Sequence, residues 1–525
     1  LRWLAQIGAM TAIPYSEVIT MQDGPLHLAA WLLDTIEVMA TLFILAVGVF
    51  MLWVVAAYII DVTQTRHAVR HNYPVIGRFR YLMEHLGEFF RQYFFAMDRE
   101  ELPFNRAQRS WVYRAAKNEN NTVAFGSTRD LRSPGSVVFV NTPFPTLGED
   151  AVPPQPVTIG PDCAHPYTTA SLFNISGMSF GAISQPAVLA LSNGAKQAGI
   201  WLNTGEGGLS PYHLEGGADI VFQIGTAKHG VRDLEGKLSD DKLRQLAAYP
   251  QVRMFEIKLS QGAKPGKGGI LPGSKVTEEV ATIRGLRVGE DAHSPNRHPE
   301  INNYADLLAM IGRVRGVTGK PTGCKTVLGN AAMLDGLLSE INRQGVQSAP
   351  DFITLDGAEG GSGAAPMPLI DSVGLPLREA LPMLVDKLCE YGLRERIKVI
   401  ASGKLINPGD VAWALCLGAD FVTNARGFMF ALGCIQAMQC NKNTCPTGVT
   451  THNEKLQQGL DPVNKAERVV NYARNMMLEV GMIAHACGAR SPSDLTREHA
   501  RVVTAGGVTR PLNEIYPVVS PRPSS

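Results

Sequence analysis

Three cysteines fall within twelve residues, Cys434, Cys440 and Cys445, spaced C-x5-C-x4-C and ending in Cys445-Pro446. Three thiolates suffice for a cluster of three irons, because each iron takes one protein ligand and bridging sulfides supply the rest. A zinc site asks for a fourth ligand, which the local sequence does not supply at the usual spacing. Elsewhere Lys264 and Arg284, with Gln261 nearby, offer two cations suited to a dicarboxylate through charge-assisted hydrogen bonds. Glu206, flanked by Gly205 and Gly207, is placed to orient an ammonia or imine nitrogen, as acceptor or acid. Lys325 can set an ammonium against the pyrimidine side of a flavin.

These groups need a scaffold that brings them to one place. From residue 170 onward, short apolar runs ending in polar or glycine-rich residues alternate with helical stretches: Leu172–Ile175, Ile200–Asn203, Ile220–Ile224, Met254–Leu259, Gly323–Val327, Phe352–Leu355, Ile397–Ala401 and Phe421–Asn424. Eight strands separated by helices predict a parallel α/β sheet closed as a (β/α)8 TIM barrel, whose chemistry sits at the C-terminal strand ends. The residues at the end of each run fit that rim: Met178-Ser179 after the first, Glu206 after the second, Gln223 near the end of the third, Lys258, Gln261 and Lys264 after the fourth, then Lys325 on the fifth. The last three end in DGAEGGSGAAP, Ser402-Gly403-Lys404 and Ala425-Arg426-Gly427. Glycine turns there let backbone N–H groups approach a phosphate, with Arg426 as a charge partner.

The remaining composition narrows the class. A net charge of +1 with 18% charged residues over 525 residues leaves no bulk field of the kind non-specific nucleic-acid binding requires, so nucleic acid is not an expected partner. Eight cysteines in so long a chain are too sparse for a disulfide scaffold, and Cys163, Cys389, Cys416 and Cys487 read as singly packed thiols. Val38 to Ile60 carries no charge over 23 residues, enough to cross a hydrocarbon core of about 30 Å as a helix. Arg66, Arg70, Arg78 and Arg80 follow it while Asp23, Asp34 and Glu37 precede it, which predicts a single-pass membrane protein with its bulk in the cytoplasm. The expected organisation is an N-terminal non-cytoplasmic segment (1–37), a transmembrane helix (38–60), a membrane-proximal lead-in (61–165) with a helix over Tyr81–Phe95, the barrel with its cysteine segment (166–490), and a tail (491–525).

Five stretches in order, GMSFGAIS, NTGEGG, QGAKPGKGGILPG, DGAEGGSGAAP and GCIQAMQCNKNTCPTGV, resemble the FMN-binding synthase domain of the glutamate synthase family over roughly residues 165–490. The resemblance implies FMN on the barrel rim, a 3Fe–4S cluster on Cys434, Cys440 and Cys445, and reduction of 2-iminoglutarate, made from 2-oxoglutarate and ammonia, to L-glutamate. Carried over motif by motif, it places Met178 and Ser179 against the flavin ring, and Gln223, Lys325, Gly361, Gly363 and Gly403 on FMN. It puts Gln261, Lys264 and Arg284 on 2-oxoglutarate, with catalysis resting on Glu206 and Lys264.

Departures from the family pattern qualify those implications. Large glutamate synthases begin with a glutamine amidotransferase domain and end in a β-helical one; neither segment is among these 525 residues, so the nitrogen source is expected to be free ammonia or an amidotransferase partner. Lys267 stands where the family loop usually carries Glu, which opens the alternative of another 2-oxo acid or an N-substituted glutamate as substrate. A second alternative makes the chain an electron-relay subunit of a membrane complex. No G-x-G-x-x-G opens a helix after a strand with an acid downstream, so the electron donor is expected to be ferredoxin, a quinone-linked partner or a membrane-bound or separate reductase.

Overall fold

A computed structural model of the chain describes residues 24–520, so the expectation for residues 1–37 lies partly outside the described residues. The chain divides into two units, one running to Ala96 and the other beginning at Met97. In the first, Gly24–Thr63 is one helix of 40 residues. The most apolar 18 residues within Trp31–Thr63 have a mean hydropathy of 2.7, and only 6% of them are buried. The helix starts well before the uncharged run at Val38 because Asp34 and Glu37 do not interrupt backbone hydrogen bonding; an apolar run marks a helix's greasy part, not its ends. At the other end the buried Asp61 carboxylate receives Arg70 at 2.6 Å, Arg78 at 2.7 Å and the Val75 N–H at 3.0 Å. That clamp ties Gly77–Phe90 back onto the long helix. Gly77–Phe90 begins four residues before the predicted Tyr81 and ends in a π turn, Arg91–Phe95.

The second unit is built on eight parallel strands: β1 Phe173–Ile175, β2 Leu202–Asn203, β3 Ile220–Ile224, β4 Val252–Lys258, β5 Thr322–Thr326, β6 Phe352–Asp356, β7 Lys398–Ser402 and β8 Phe421–Asn424. They follow one another around a closed barrel, with β8 pairing β1 and β4 pairing β5. Each coincides with one predicted run, and no boundary moves by more than two residues. Apolar and β-branched residues suit strands covered on both sides. The helices between them start on caps readable in the sequence. Ser184 precedes Gln185-Pro186, Asn407 precedes Pro408 and Asp461 precedes Pro462, each cap accepting a first-turn N–H.

The N-terminal end of the barrel is stoppered. An antiparallel hairpin, Val157–Ile159 with Tyr167–Thr169, buries Ile159 and Tyr167 against Trp201, Met254, Phe352 and Phe421 inside the strands. Trp201 meets Phe421 edge-on at 5.0 Å. Between strands and helices runs the main core, and from Met97 onward the segment predicted as lead-in packs on it. Phe104 meets Phe430 edge-on at 5.4 Å, Trp111 meets Tyr472 at 6.0 Å, and Val137–Phe139 pairs antiparallel with Ala500–Val503 of the C-terminal segment.

Candidate active site

One cleft opens at the C-terminal ends of the strands. Met178, Ser179, Glu206, Gln223, Gln261, Lys264, Arg284, Lys325, Gly361, Gly363, Gly403 and Arg426 all line it, together with Cys440. Residues far apart in sequence meet because every strand delivers its end to the same rim. Lys258, Lys275, His229 and Asp356 also line it; of these the sequence pattern marks only Lys258, as a neighbour of Gln261.

The acid–base centre is a carboxylate among cations. Glu206 lies 3.0 Å from the Lys258 ammonium, which also donates to Gln261 Oε1. Burial alone would push Glu206 up, but Lys258, Lys264 and Arg284 outweigh it and hold the carboxyl down at about 2. At neutral pH Glu206 is therefore an acceptor and a negative charge, not a proton donor. Burial pushes Lys264 down to about 8, against the pull of Glu206, and its ammonium donates to the Ala364 carbonyl at 3.1 Å. Arg284, 5% exposed, donates to Ser179 Oγ at 3.1 Å and to the Phe180 carbonyl at 2.7 Å, while its Nε is buried with no partner. An unspent guanidinium N–H beside a cleft is a costly feature unless an anion takes it. Burial drives His229 down to about 4, so it sits neutral on the Arg284 carbonyl, 3.0 Å away.

Glycines make this packing possible. A Cβ at Gly207 would stand 2.7 Å from Arg284 Nη2 and 2.7 Å from Ser179 Cβ, and one at Gly225 would stand 2.6 Å from Glu206 Cβ. Gly207→Ala is accordingly expected to displace the Arg284 guanidinium and to lower the melting temperature by several degrees, which a thermal melt checks.

The other half of the cleft suits a flat ring with an anionic tail. The Lys325 ammonium is 3.2 Å from Asp356 Oδ2. Burial acts to lower Lys325, but Asp356 and Glu256 outweigh it and keep it above the ordinary lysine value. A Cβ at Gly361 would meet Arg426 Nε at 2.8 Å, so the loop after β6 lies directly on that guanidinium, which donates to the Ser362 carbonyl at 2.6 Å. Gly403 adopts φ +143°, a conformation open to glycine, and its Cβ position lies 3.2 Å from the Gly357 N. Exposed backbone at Gly361 and Gly363, a guanidinium and a charged lysine are the donor set that a phosphate and a flavin ring ask for.

The cysteine loop lies beside Arg426. Cys434 and Cys445 are buried and Cys440 is half-buried, each with a local partner. Gln436 N donates to Cys434 at 3.5 Å, Arg426 Nη1 to Cys440 at 3.8 Å, and Thr447 Oγ1 lies 3.4 Å from Cys445. Burial pushes Cys434 up to about 11; burial pushes Cys445 the same way, but hydrogen bonds from Thr447 and Thr450 outweigh it and lower that thiol. Among the described residues no group of three or more His, Cys, Asp or Glu side chains converges closely enough to hold a metal ion. The three sulfurs share one loop, each with its own local partner.

Residues 150–490 match the family model described as the conserved region in glutamate synthase. The glutamate synthase large subunit-like protein YerD of Bacillus subtilis (strain 168) is 41% identical over 84% of this chain and 91% of its own length. The archaeal-type glutamate synthase [NADPH] of Thermotoga maritima is 35% identical over 61% of this chain, and the chain spans 60% of that enzyme's length. A solved structure of an active chimera of (S)-mandelate dehydrogenase superposes with a TM-score of 0.45 at 12% identity, covering 75% of this chain and 98% of that one. By the family match and these relatives, the chain belongs to the glutamate synthase family.

Proposed function

We propose that the chain is an FMN-dependent oxidoreductase that reduces 2-iminoglutarate, formed from 2-oxoglutarate and ammonia, to L-glutamate. As a member of its family it is an oxidoreductase of the class acting on the CH–NH2 group of donors. The observation that carries the finer reading is the meeting, in one cleft, of two buried cations and an ionised Glu206 with the Lys325, Gly361 and Arg426 cradle. Lys264 and Arg284 would take the two carboxylates of the substrate, Arg284 spending its free Nε. Glu206 would face the imine nitrogen and, as an acceptor, favour its protonated form, which is the better hydride acceptor. Lys325, with Gln223 and the Met178–Ser179 turn, would hold the ring of FMN, and Gly361, Gly363, Gly403 and Arg426 its phosphate. FMN, when bound, supplies hydride transfer to the imine carbon and accepts electrons one or two at a time.

Cys434, Cys440 and Cys445 would hold a 3Fe–4S cluster that delivers single electrons from ferredoxin or a membrane-bound reductase. Their spacing, and the placing of Cys440 on the cleft wall, support it. About three irons per chain with a matching cluster signal in electron paramagnetic resonance is the expected result; iron-free protein that retains FMN would remove the cluster and leave the flavin. The apolar helix Trp31–Thr63 supports a single-pass membrane anchor with the barrel in the cytoplasm; resistance to alkaline extraction checks it. Lys267 adds its positive charge to the field on Lys264, which favours, as a second reading, another 2-oxo acid or an N-substituted glutamate on the same cofactors.

The deciding experiment is anaerobic stopped-flow absorbance of chemically reduced holoprotein mixed with 2-oxoglutarate and ammonium. Rapid flavin reoxidation with glutamate formed is expected. Bound flavin inert to that mixture would move the reading to the second substrate class, and protein without flavin would overturn it.

A further inference from the structure

Glu256 lies beneath the ring side of the cleft, 2% exposed, on the inward face of β4, two residues before Lys258. It pairs in register with Gln223 on β3. Its Oε1 accepts from Gln223 Nε2 at 2.7 Å and from Asn203 Nδ2 at 2.8 Å, and its Oε2 accepts from Thr354 Oγ1 at 2.5 Å. A carboxylate offers only acceptors, so both amides must turn their NH2 groups toward it. The consequence is a fixed polarity one residue further out. Asn203 Oδ1 is left to accept the Gly205 N–H at 2.9 Å, which sets the turn that carries Glu206. Gln223, on the wall of the cleft, is left with its carbonyl oxygen uncommitted. The Gly177 backbone lies directly on the pair: a Cβ there would stand 2.9 Å from Asn203 Oδ1 and 3.1 Å from Gln223 Nε2.

We infer that Glu256 is a positioning residue that presets Gln223 as a hydrogen-bond acceptor, so that the site selects a ring whose edge carries an N–H donor, as the N3–H of a flavin does. The inference rests on the FMN reading above and adds to it a residue that touches neither cofactor nor substrate. The same carboxylate shares an inner chamber with Lys325 and adds to the negative field that keeps that ammonium charged. Gln223 and Lys325 thus present an acceptor and a donor to one cleft, and Glu256 bears on both.

The test compares FMN with N3-methyl-FMN, which lacks the donor, by fluorescence titration of the apoprotein. Wild type is expected to bind the methylated analogue about ten- to a hundredfold more weakly. Glu256→Met removes the acceptor and frees the Gln223 amide, so the two flavins should then bind within about threefold of one another. Glu256→Gln should restore the discrimination, because its carbonyl can replace Oε1 while its NH2 faces the Thr354 hydroxyl, which accepts as well as donates. A merely structural role would weaken both flavins equally in Glu256→Met. A wild type that binds both alike, or a Glu256→Met variant that still discriminates, overturns the inference while leaving FMN binding standing. Protein that binds neither flavin overturns the FMN reading itself. A further measurement needs no variant: slow exchange of the flavin N3 proton in wild-type holoprotein supports the assignment, and exchange as fast as in free FMN overturns it.

Discussion

Lys264→Met should lower kcat/KM for 2-oxoglutarate by roughly a hundredfold or more, the loss of about 3 kcal/mol that accompanies removal of one buried partner from a charge pair. The side chain is nearly as long, so packing changes little, and only the cation disappears. Lys264 is 3% exposed and faces Glu206, whose carboxyl would then be balanced by Lys258 and Arg284 alone. Glu206 should therefore titrate at a higher pH in the variant, and the acid limb of the pH–rate profile should move up with it. In wild type the alkaline limb is expected to follow Lys264. Its proton is lost near pH 8 in the folded protein against 10.5 in a free lysine. Between those values the unfolded chain binds the extra proton, so raising the pH favours the fold while stripping the substrate's cation. Activity falling through pH 8 with thermal stability level or rising is the expected pattern. A loss of activity that tracks unfolding would refute it.

Asp351→Ala is expected to have the opposite signature, a large cost in stability with no change in chemistry. The carboxylate, fully buried just before β6, accepts from Arg315 at 2.9 Å and from the Thr322 N–H at 2.8 Å, and forms an ion pair with Arg396 at 2.8 Å. Both arginine side chains are less than one-fifth exposed. Truncating the acid leaves two desolvated cations facing each other and an orphaned backbone donor, at a cost of about 3–5 kcal/mol. In a domain of this size that corresponds to a fall of order 5–10 °C in the temperature at which flavin is released. The variant that remains folded should turn over at the wild-type rate, because Asp351 lies at the end of the barrel away from the cleft. A normal melting temperature would mean that relaxation or water compensates for the pair.

The strands and the rim were legible because each rests on local pattern. Ile220–Ile224 is an apolar run broken only by Gln223, Phe421–Asn424 passes from apolar Phe421 and Val422 to polar Thr423 and Asn424, and both have the predicted bounds. The glycine turns announce themselves because glycine alone tolerates such close approach, as Gly207 and Gly361 show. Glu256 was hidden by its own strand: the run Met254–Leu259 reads as apolar, yet Glu256 and Lys258 stand two apart and so share one face. Two charges on the inward face of a barrel strand are a signal that could have been used. Asp356 and Lys275 could not be found in this way, since the first matters through Lys325 on a neighbouring strand and the second through Ala182, 93 residues away. The cysteines show the reverse case. Spacing proposes a ligand set, but spacing says nothing about which hydrogen bonds each sulfur takes.

The hairpin beneath the barrel has a bearing on traffic. Ile159 and Tyr167, wedged among Trp201, Phe352 and Phe421, close the barrel from below. What enters or leaves the cleft passes over the upper rim, whose wall Phe104 of the preceding segment helps to form. On the function proposed above, a subunit that hands nitrogen to this chain would dock from above and share the doorway with the carbon substrate, so that delivery and product release take turns at a single gate.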